Sequence, residues 1–370
     1  AVAERLRDCV RGTDTAARLG GDEFALLIEG VGEAAEVTAL AERLIAALKE
    51  PFVIAGRDIV VGTSVGIAFD EINIDTGQLL RNADIAMYTA KSGGKCRYEI
   101  FQRDMHTAAM DRLEIQADLR RALDQRELTL DYQPIVDLGS GRITGVEALV
   151  RWQHPERGLL APNVFIPLAE ETGLILELGR QVLIEACIQG RRWQQLRPQD
   201  PPLTVSVNLS PRQVQADDLI PHIIEALTVS GLDPATLVLE ITEGAMLHDT
   251  EAVIDRLASL KALGVKLALD DFGTGYSSFG YLQRLPIDVL KIDGTFVGMI
   301  ETDDTKSTLA QAIVSLAQTM DLVAVAEGVE TSAQAELLGR MGCDLAQGYY
   351  LARPMAADAL EALVCGAPVV

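Results

Sequence analysis

The sequence predicts an α/β fold, a closed (β/α)8-like barrel, for the larger part of the chain, and three observations predict it. After Arg126, apolar strand-like runs alternate with stretches long enough for helices, the pattern of parallel α/β architecture. The runs number eight: Leu128 to Ile135, Ile143 to Trp152, Thr204 to Leu209, Leu237 to Thr242, Val265 to Asp270, Val289 to Ile292, Val323 to Ala326, and a short one near Leu345. Most of them carry a carboxylate, an amide or a lysine at or near their ends, as strands do where they converge on the rim of a TIM-type barrel. A shorter region of mixed strands and helices precedes Arg126.

The whole chain sets the bounds. At 370 residues it is long for one core and suggests two domains. Apolar residues make up 48% and charged residues 23%, an ordinary globular composition. The formal net charge of -22 argues against a DNA or RNA duplex or an anionic lipid surface as partner, because both need a basic footprint. A phosphate-bearing ligand then needs metal ions or a few placed basic residues. The five cysteines (Cys9, Cys96, Cys187, Cys343, Cys365) have no paired spacing, which reads as reduced thiols in a cytoplasmic compartment. His106, His154, His222 and His248 lie apart and form no metal-binding pair. No apolar run approaches the roughly 20 residues needed to span a bilayer. Any sensor or membrane anchor would have to lie upstream of Ala1.

Taken in order, the chain opens on helical spacing from Ala3 to Val10. Ala16 to Ile28 reads as a hairpin, two strands joined by the Gly20-Gly21 turn with Asp22 and Glu23 beside it. Gly62 to Ala68 reads as a strand. Leu79 to Lys91 reads as a helix that lays Leu80, Ala83, Met87 and Ala90 over a sheet. Gly20-Gly21-Asp22-Glu23-Phe24 and the segments after it resemble the GGDEF family of diguanylate cyclases. That resemblance implies the C-terminal part of an α+β domain over residues 1–101, truncated at its N-terminal side. The family's earlier strand with a metal-binding Asp, and its nucleotide-recognising segment, have no counterpart before Gly20, so cyclase activity is not expected from this chain. Arg11 and Asp14 match the family's RxxD product-inhibition site by residue type and by distance from the Gly-Gly turn.

From Gln102 to Gln125 the sequence becomes helical and densely charged, with Met110, Leu113, Ile115, Leu119 and Leu123 among acids and arginines. Residues 102–111 are expected to form a stiff helical linker, and residues 112–366 the second domain.

In that domain the first two runs are joined by Asp137-Leu138-Gly139-Ser140-Gly141, too short for a parallel crossover, so they should pair antiparallel. The later links are long enough for helices. Polar residues punctuate the runs: Glu147, Asn208, Glu240 with Glu243, Asp270 with Asp271, Lys291, Glu327 and Gln347. Adjacent strand residues face opposite sides, so for Asp270 and Asp271 to serve one site the backbone must turn, and Gly273 and Gly275 permit it. Five carboxylates on one rim (Glu147, Glu240, Asp270, Asp271, Glu327) would repel severely without cations, and oxygen-rich, sulfur-free ligation suits Mg2+ or Mn2+.

The segments Glu147-Ala148-Leu149 with Arg151, Asn208-Leu209-Ser210, Glu240-Ile241-Thr242-Glu243, Asp270 to Gly275, Lys291-Ile292-Asp293, Glu327-Gly328-Val329-Glu330 and Gln347-Gly348-Tyr349, in that order, resemble the EAL family of cyclic-di-GMP phosphodiesterases. The resemblance implies a modified TIM barrel with one antiparallel strand, a two-metal site and hydrolysis of cyclic-di-GMP to linear 5′-pGpG. By the same resemblance, Glu147, Asn208, Glu240 and Asp270 hold the first metal, Asp270 is shared, and Asp271 serves the second. Glu327 holds the activated water and Lys291 contacts it. Arg151, Gln133, Leu149 and Gln347 contact substrate, and Glu243 braces the Asp271 to Ser278 loop. It also implies a homodimer formed through this domain. Two other readings stay open: a noncatalytic cyclic-di-GMP receptor that signals through the connecting helix, and a cyclase/phosphodiesterase in the intact protein.

Overall fold

The computed structural model describes residues 1–54, 57–70, 75–198, 201–246, 250–273, 282–298, 300–301 and 304–364. The chain divides into two compact units, Ala1–Ile115 and Gln116–Val370.

The first unit packs helices Val2–Cys9 and Ala34–Lys49 around a small core of Leu6, Leu40, Leu44, Leu48 and Phe52. Its hairpin forms as the Gly-Gly signal predicts: strands Thr15–Gly20 and Glu23–Leu27 pair antiparallel, with Gly20 opposite Glu23. Strand Val65–Ile67 runs parallel to Tyr98–Ile100, and helix Thr76–Ser92 connects them. A side chain at Gly66 would meet the carbonyl of Ala83 at 2.0 Å, so helix and strand approach at backbone distance. The predicted face is met at Ala83 and Met87, which the strand approaches at Gly66, and at the buried Ala90; Asn82 and Ala86 are buried beside them, while Leu80 is 45% exposed.

Helix Arg103–Gln125 runs across the boundary between the units. The second unit then forms eight barrel strands: β1 (Leu128–Asp137), β2 (Ile143–His154), β3 (Thr204–Leu209), β4 (Leu237–Thr242), β5 (Lys266–Phe272), β6 (Val289–Ile292), β7 (Val323–Ala326) and β8 (Leu345–Ala346). Strands β2 to β8 follow one another in parallel. β1 is antiparallel to both β2 and β8 and closes the ring. The fold is the predicted α/β barrel, with the single antiparallel strand that the short Asp137 to Gly141 link requires.

Outward faces of the strands, such as Leu239, Leu267 and Leu290, join helix residues such as Leu183, Leu257 and Val314 in one large core. Inside the ring, Ile135, Val238, Ala268, Val289 and Val325 form a separate apolar layer. Side chains on one strand face recur every second residue. The inward positions that follow are therefore Glu240, Asp270, Lys291 and Glu327, and on the oppositely directed β1 the counterpart is Gln133. A polar layer is thus stacked on an apolar floor by strand periodicity alone. Among the described residues, no helix is long and apolar enough to cross a membrane.

Candidate active site

The polar layer converges on Lys291. Its Nζ lies 2.5 Å from Glu240 Oε2, 2.6 Å from Glu327 Oε1, 3.3 Å from Asp270 Oδ1 and 3.7 Å from Glu147 Oε2. Lys291 is 1% exposed, and Glu147, Glu240 and Asp270 are buried too. Burial alone would lower the Lys291 pKa, but the surrounding carboxylates outweigh it and hold the ammonium well above its ordinary range. Burial pushes Glu240 up to about 8 and Glu327 up to about 7, against the pull of Lys291 and helped by the neighbouring acids. One ammonium cannot neutralise four carboxylates, so the cage has an electrostatic demand for further positive charge.

Around this centre the amides are ordered. Asn208 Nδ2 donates to Glu147 Oε1 at 2.6 Å. Gln347 Nε2 donates to Glu147 Oε2 at 2.6 Å and to Gln133 Oε1 at 2.9 Å. The Oε1 of Gln347 is buried and accepts no hydrogen bond.

β5 ends in the turn that two adjacent acids require, but the turn begins earlier than predicted. Asp271 itself takes the left-handed conformation, with φ at +55°, and its N–H donates to Asp270 Oδ1 at 3.0 Å. Aspartate tolerates this region better than most side chains. The register of β5 against β6 shifts between Leu269 and Phe272. Gly273 follows at φ +99°, where a side chain would run into the Phe296 ring, and Gly275 lies outside the described residues. As a result Asp270, Asp271 and Glu327 each offer an oxygen, all within 4.8 Å of one another. Burial, then Asp270 and Asp293, raise the Asp271 pKa.

Glu147, Leu149 and Arg151 share one face of β2 at two-residue spacing. Arg151 Nε is paired with Asp131 Oδ2 on β1 at 2.9 Å, a partner that sequence reasoning did not single out. Glu243 is buried at the start of a short turn, Glu243–Met246. The Thr274 to Ser278 part of the loop it was expected to brace lies outside the described residues. In the other unit, Arg11 pairs with Glu36 at 3.6 Å, and its N–H donates to Asp14 Oδ2 at 2.8 Å. Sequence spacing also left His154 without a partner. It is buried, accepts at Nδ1 from the Glu156 and Arg157 N–H groups, and so presents Nε2 to Asp118 at 3.0 Å.

The loops beyond β6, β7 and β8 pack at backbone distance. A side chain at Gly348 would lie 2.1 Å from the Val329 carbonyl, and one at Gly328 would lie 3.1 Å from Gly294. These glycines keep Lys291, Glu327 and Gln347 on neighbouring strand ends. The donor set fits hard divalent cations: carboxylate and amide oxygens, no sulfur or imidazole, excess negative charge, and a buried acceptor at Gln347 Oε1 with no donor.

Comparison with known proteins places this arrangement. The EAL domain family matches residues 116–354, and the diguanylate cyclase GGDEF domain family matches residues 1–97. The chain is 45% identical over 364 residues to the bifunctional diguanylate cyclase/cyclic di-GMP phosphodiesterase MucR of Pseudomonas aeruginosa, covering 98% of this chain and 53% of that protein. It is 40% identical over 361 residues to the cyclic di-GMP phosphodiesterase NbdA of the same species, covering 97% of this chain and 46% of that one. The chain thus spans about half the length of the curated relatives it matches. Among solved structures, the PaMucR phosphodiesterase in complex with c-di-GMP is 46% identical, with a TM-score of 0.64, covering 67% of this chain and 99% of that one. The EAL enzyme Bd1971 in its cAMP- and cyclic-di-GMP-bound form is 29% identical, with a TM-score of 0.67, covering 79% of this chain and 77% of that one. The chain belongs to the EAL domain family, with a GGDEF segment preceding the barrel.

Proposed function

We propose that the barrel hydrolyses one phosphodiester of cyclic-di-GMP to linear 5′-pGpG, using two Mg2+ or Mn2+ ions at the rim. The observation that carries this reading is the ring of Glu147, Glu240, Asp270 and Glu327 around the buried Lys291. The relatives named for this activity and the solved PaMucR complex with c-di-GMP support it.

In this reading Glu147, Asn208, Glu240 and Asp270 would hold the first cation, and Asp271, together with Asp270, would hold the second. When bound, the cations supply Lewis-acid activation of water and phosphate. The chain's own groups do the rest. Lys291, held charged by its neighbours, donates to the attacking water and orients it without taking its proton. Glu327 holds the same water from the β7 side. Arg151 and Leu149, on the Glu147 face of β2, receive a substrate phosphate and base, and Asp131 aims the guanidinium. Water adds across the P–O3′ bond: its oxygen bonds to phosphorus as the bond to O3′ breaks, a proton from the water ends on O3′ to give a free 3′-hydroxyl, and the other end of the linear product keeps the 5′-phosphate. The proposal extends to residues 102–111 as a helical linker, to Glu243 as the brace of the following loop, to a dimer formed through the barrel and to a cytoplasmic site of action. Arg11 and Asp14 are proposed as a product-inhibition site of the GGDEF segment.

Incubation with cyclic-di-GMP and Mn2+, with an EDTA control, tests the activity. pGpG formed only with metal is the expected result. Tight binding of intact cyclic-di-GMP without turnover would replace the enzyme by a receptor.

A further inference from the structure

Gln133 and Gln347 form a directional relay that ends on Glu147. Gln133 Nε2 donates to the Ala352 carbonyl at 3.0 Å, and its Oε1 accepts from Gln347 Nε2 at 2.9 Å. The same Gln347 nitrogen donates its second hydrogen to Glu147 Oε2 at 2.6 Å. Both amides are more than nine-tenths buried. Neither can flip. A reversed Gln347 would set its carbonyl against the oxygens of Gln133 and Glu147, and a reversed Gln133 would set oxygen against Ala352 and nitrogen against nitrogen.

The relay sits at the seam of the barrel. β1 runs antiparallel to both β2 and β8, and Gln133 lies directly opposite Glu147 in the β1–β2 register. Gln347 enters from the end of β8, the strand on the other side of β1. Asn208 holds the second oxygen of Glu147 at 2.6 Å. Both oxygens of that carboxylate are therefore fixed by amide donors, and each keeps a lone pair for a cation. Both hydrogens of the Gln347 amide are used within the protein, and its open acceptor, Oε1, is buried away from solvent, so neither end of the amide is offered to a nucleotide.

We propose that Gln347 and Gln133 are positioning residues that orient Glu147 toward its cation and do not contact substrate. This replaces the role that the family resemblance implied for them, and it rests on the proposed metal-dependent function. Removing a hydrogen-bond partner of a metal ligand weakens metal affinity about 10- to 100-fold.

The test is isothermal titration of Mn2+ into the metal-free chain, alongside KM and kcat for cyclic-di-GMP at saturating Mn2+. Gln347→Leu is expected to weaken Mn2+ binding about 10- to 100-fold, with KM unchanged once metal is saturating. Gln133→Leu is expected to weaken Mn2+ binding less, because the Gln347 to Glu147 bond remains. The double variant should bind Mn2+ no more weakly than Gln347→Leu, since Gln133 acts through Gln347. Thermal midpoints in EDTA monitor folding, and Gln133→Leu, two bonds away from Glu147, carries the test if Gln347→Leu does not fold. Unchanged Mn2+ affinity with a raised KM would overturn the relay and restore substrate contact, as would additive losses in the double variant. A wild-type chain that bound no Mn2+ would instead overturn the proposed function itself.

Discussion

Asp22-Glu23 and Asp270-Asp271 are both pairs of adjacent acids at the end of a strand beside a glycine turn, and the structure treats them differently. The first pair lies on the exposed hairpin of the first unit, whose strand Thr15–Gly20 is exposed along its whole length. The second lies at the end of a central barrel strand, with Asp270 buried 3.3 Å from a fully buried lysine. The local signal is the same. What differs is that Asp270 is one of four carboxylates around Lys291 contributed by separate strands, so its charge is coupled to its neighbours through a low-dielectric interior. Water screens the charge of Asp22 and Glu23.

That contrast is best broken at its centre. Lys291→Met removes the ammonium that these four carboxylates share. The metal-free protein should lose about 3–5 kcal/mol of stability, the cost of unpairing buried charge, with Mn2+ restoring much of it. Denaturant unfolding with and without Mn2+ measures both. Turnover should also fall steeply, and unchanged turnover would remove Lys291 from the mechanism.

Glu147→Ala should weaken Mn2+ affinity and turnover by more than about 100-fold, beyond the range expected for outer partners of a metal ligand. Calorimetry and product assays check it, and wild-type values in both would reject Glu147 as a ligand.

The pH dependence sharpens the same difference. Glu240 and Glu327 stand at about 8 and about 7 in the folded, metal-free site, above their ordinary value of 4.5. A carboxyl raised on folding contributes stability that is full below its unfolded pKa and is lost as pH rises through the folded one. The metal-free chain should therefore lose stability between pH 5 and about 8. Cations need the ionised carboxylates, so Mn2+ affinity should rise over the same window with proton release. Melting curves across pH, with and without Mn2+, would show a flat profile if the cage did not titrate. The smallest effect is expected at the exposed pair: Asp22→Asn should change stability by less than about 0.5 kcal/mol and leave Mn2+ affinity untouched.

The barrel was legible because its signal repeats. Eight apolar runs, separated by helix-length links and one short turn, leave one closed arrangement, and the inward alternation from Val238 to Glu240 or Val289 to Lys291 can be read by counting in twos. The rim residues were legible for the same reason. Cross-strand partnership was not. The Arg151 bond to Asp131, the His154 bond to Asp118 and the relay from Gln133 to Glu147 depend on register and on side-chain direction across 20 to more than 200 residues, which linear spacing does not encode. The turn at the two acids was foreseen in kind but placed on the glycines, because a left-handed Asp271 carries no mark in the sequence. In the first unit, the helix face was legible at Ala83, Met87 and Ala90 and missed only at Leu80, which hydrophobicity alone placed on the sheet but which is 45% exposed.

The most direct measurement is anomalous diffraction at the manganese edge from crystals soaked in Mn2+. The account predicts a manganese peak within bonding distance of Glu147, Glu240 and Asp270, with Lys291 Nζ drawn away from at least one of the carboxylates it now touches. Manganese bound only at surface acids such as Asp22, with Lys291 still holding all four carboxylates, would contradict it.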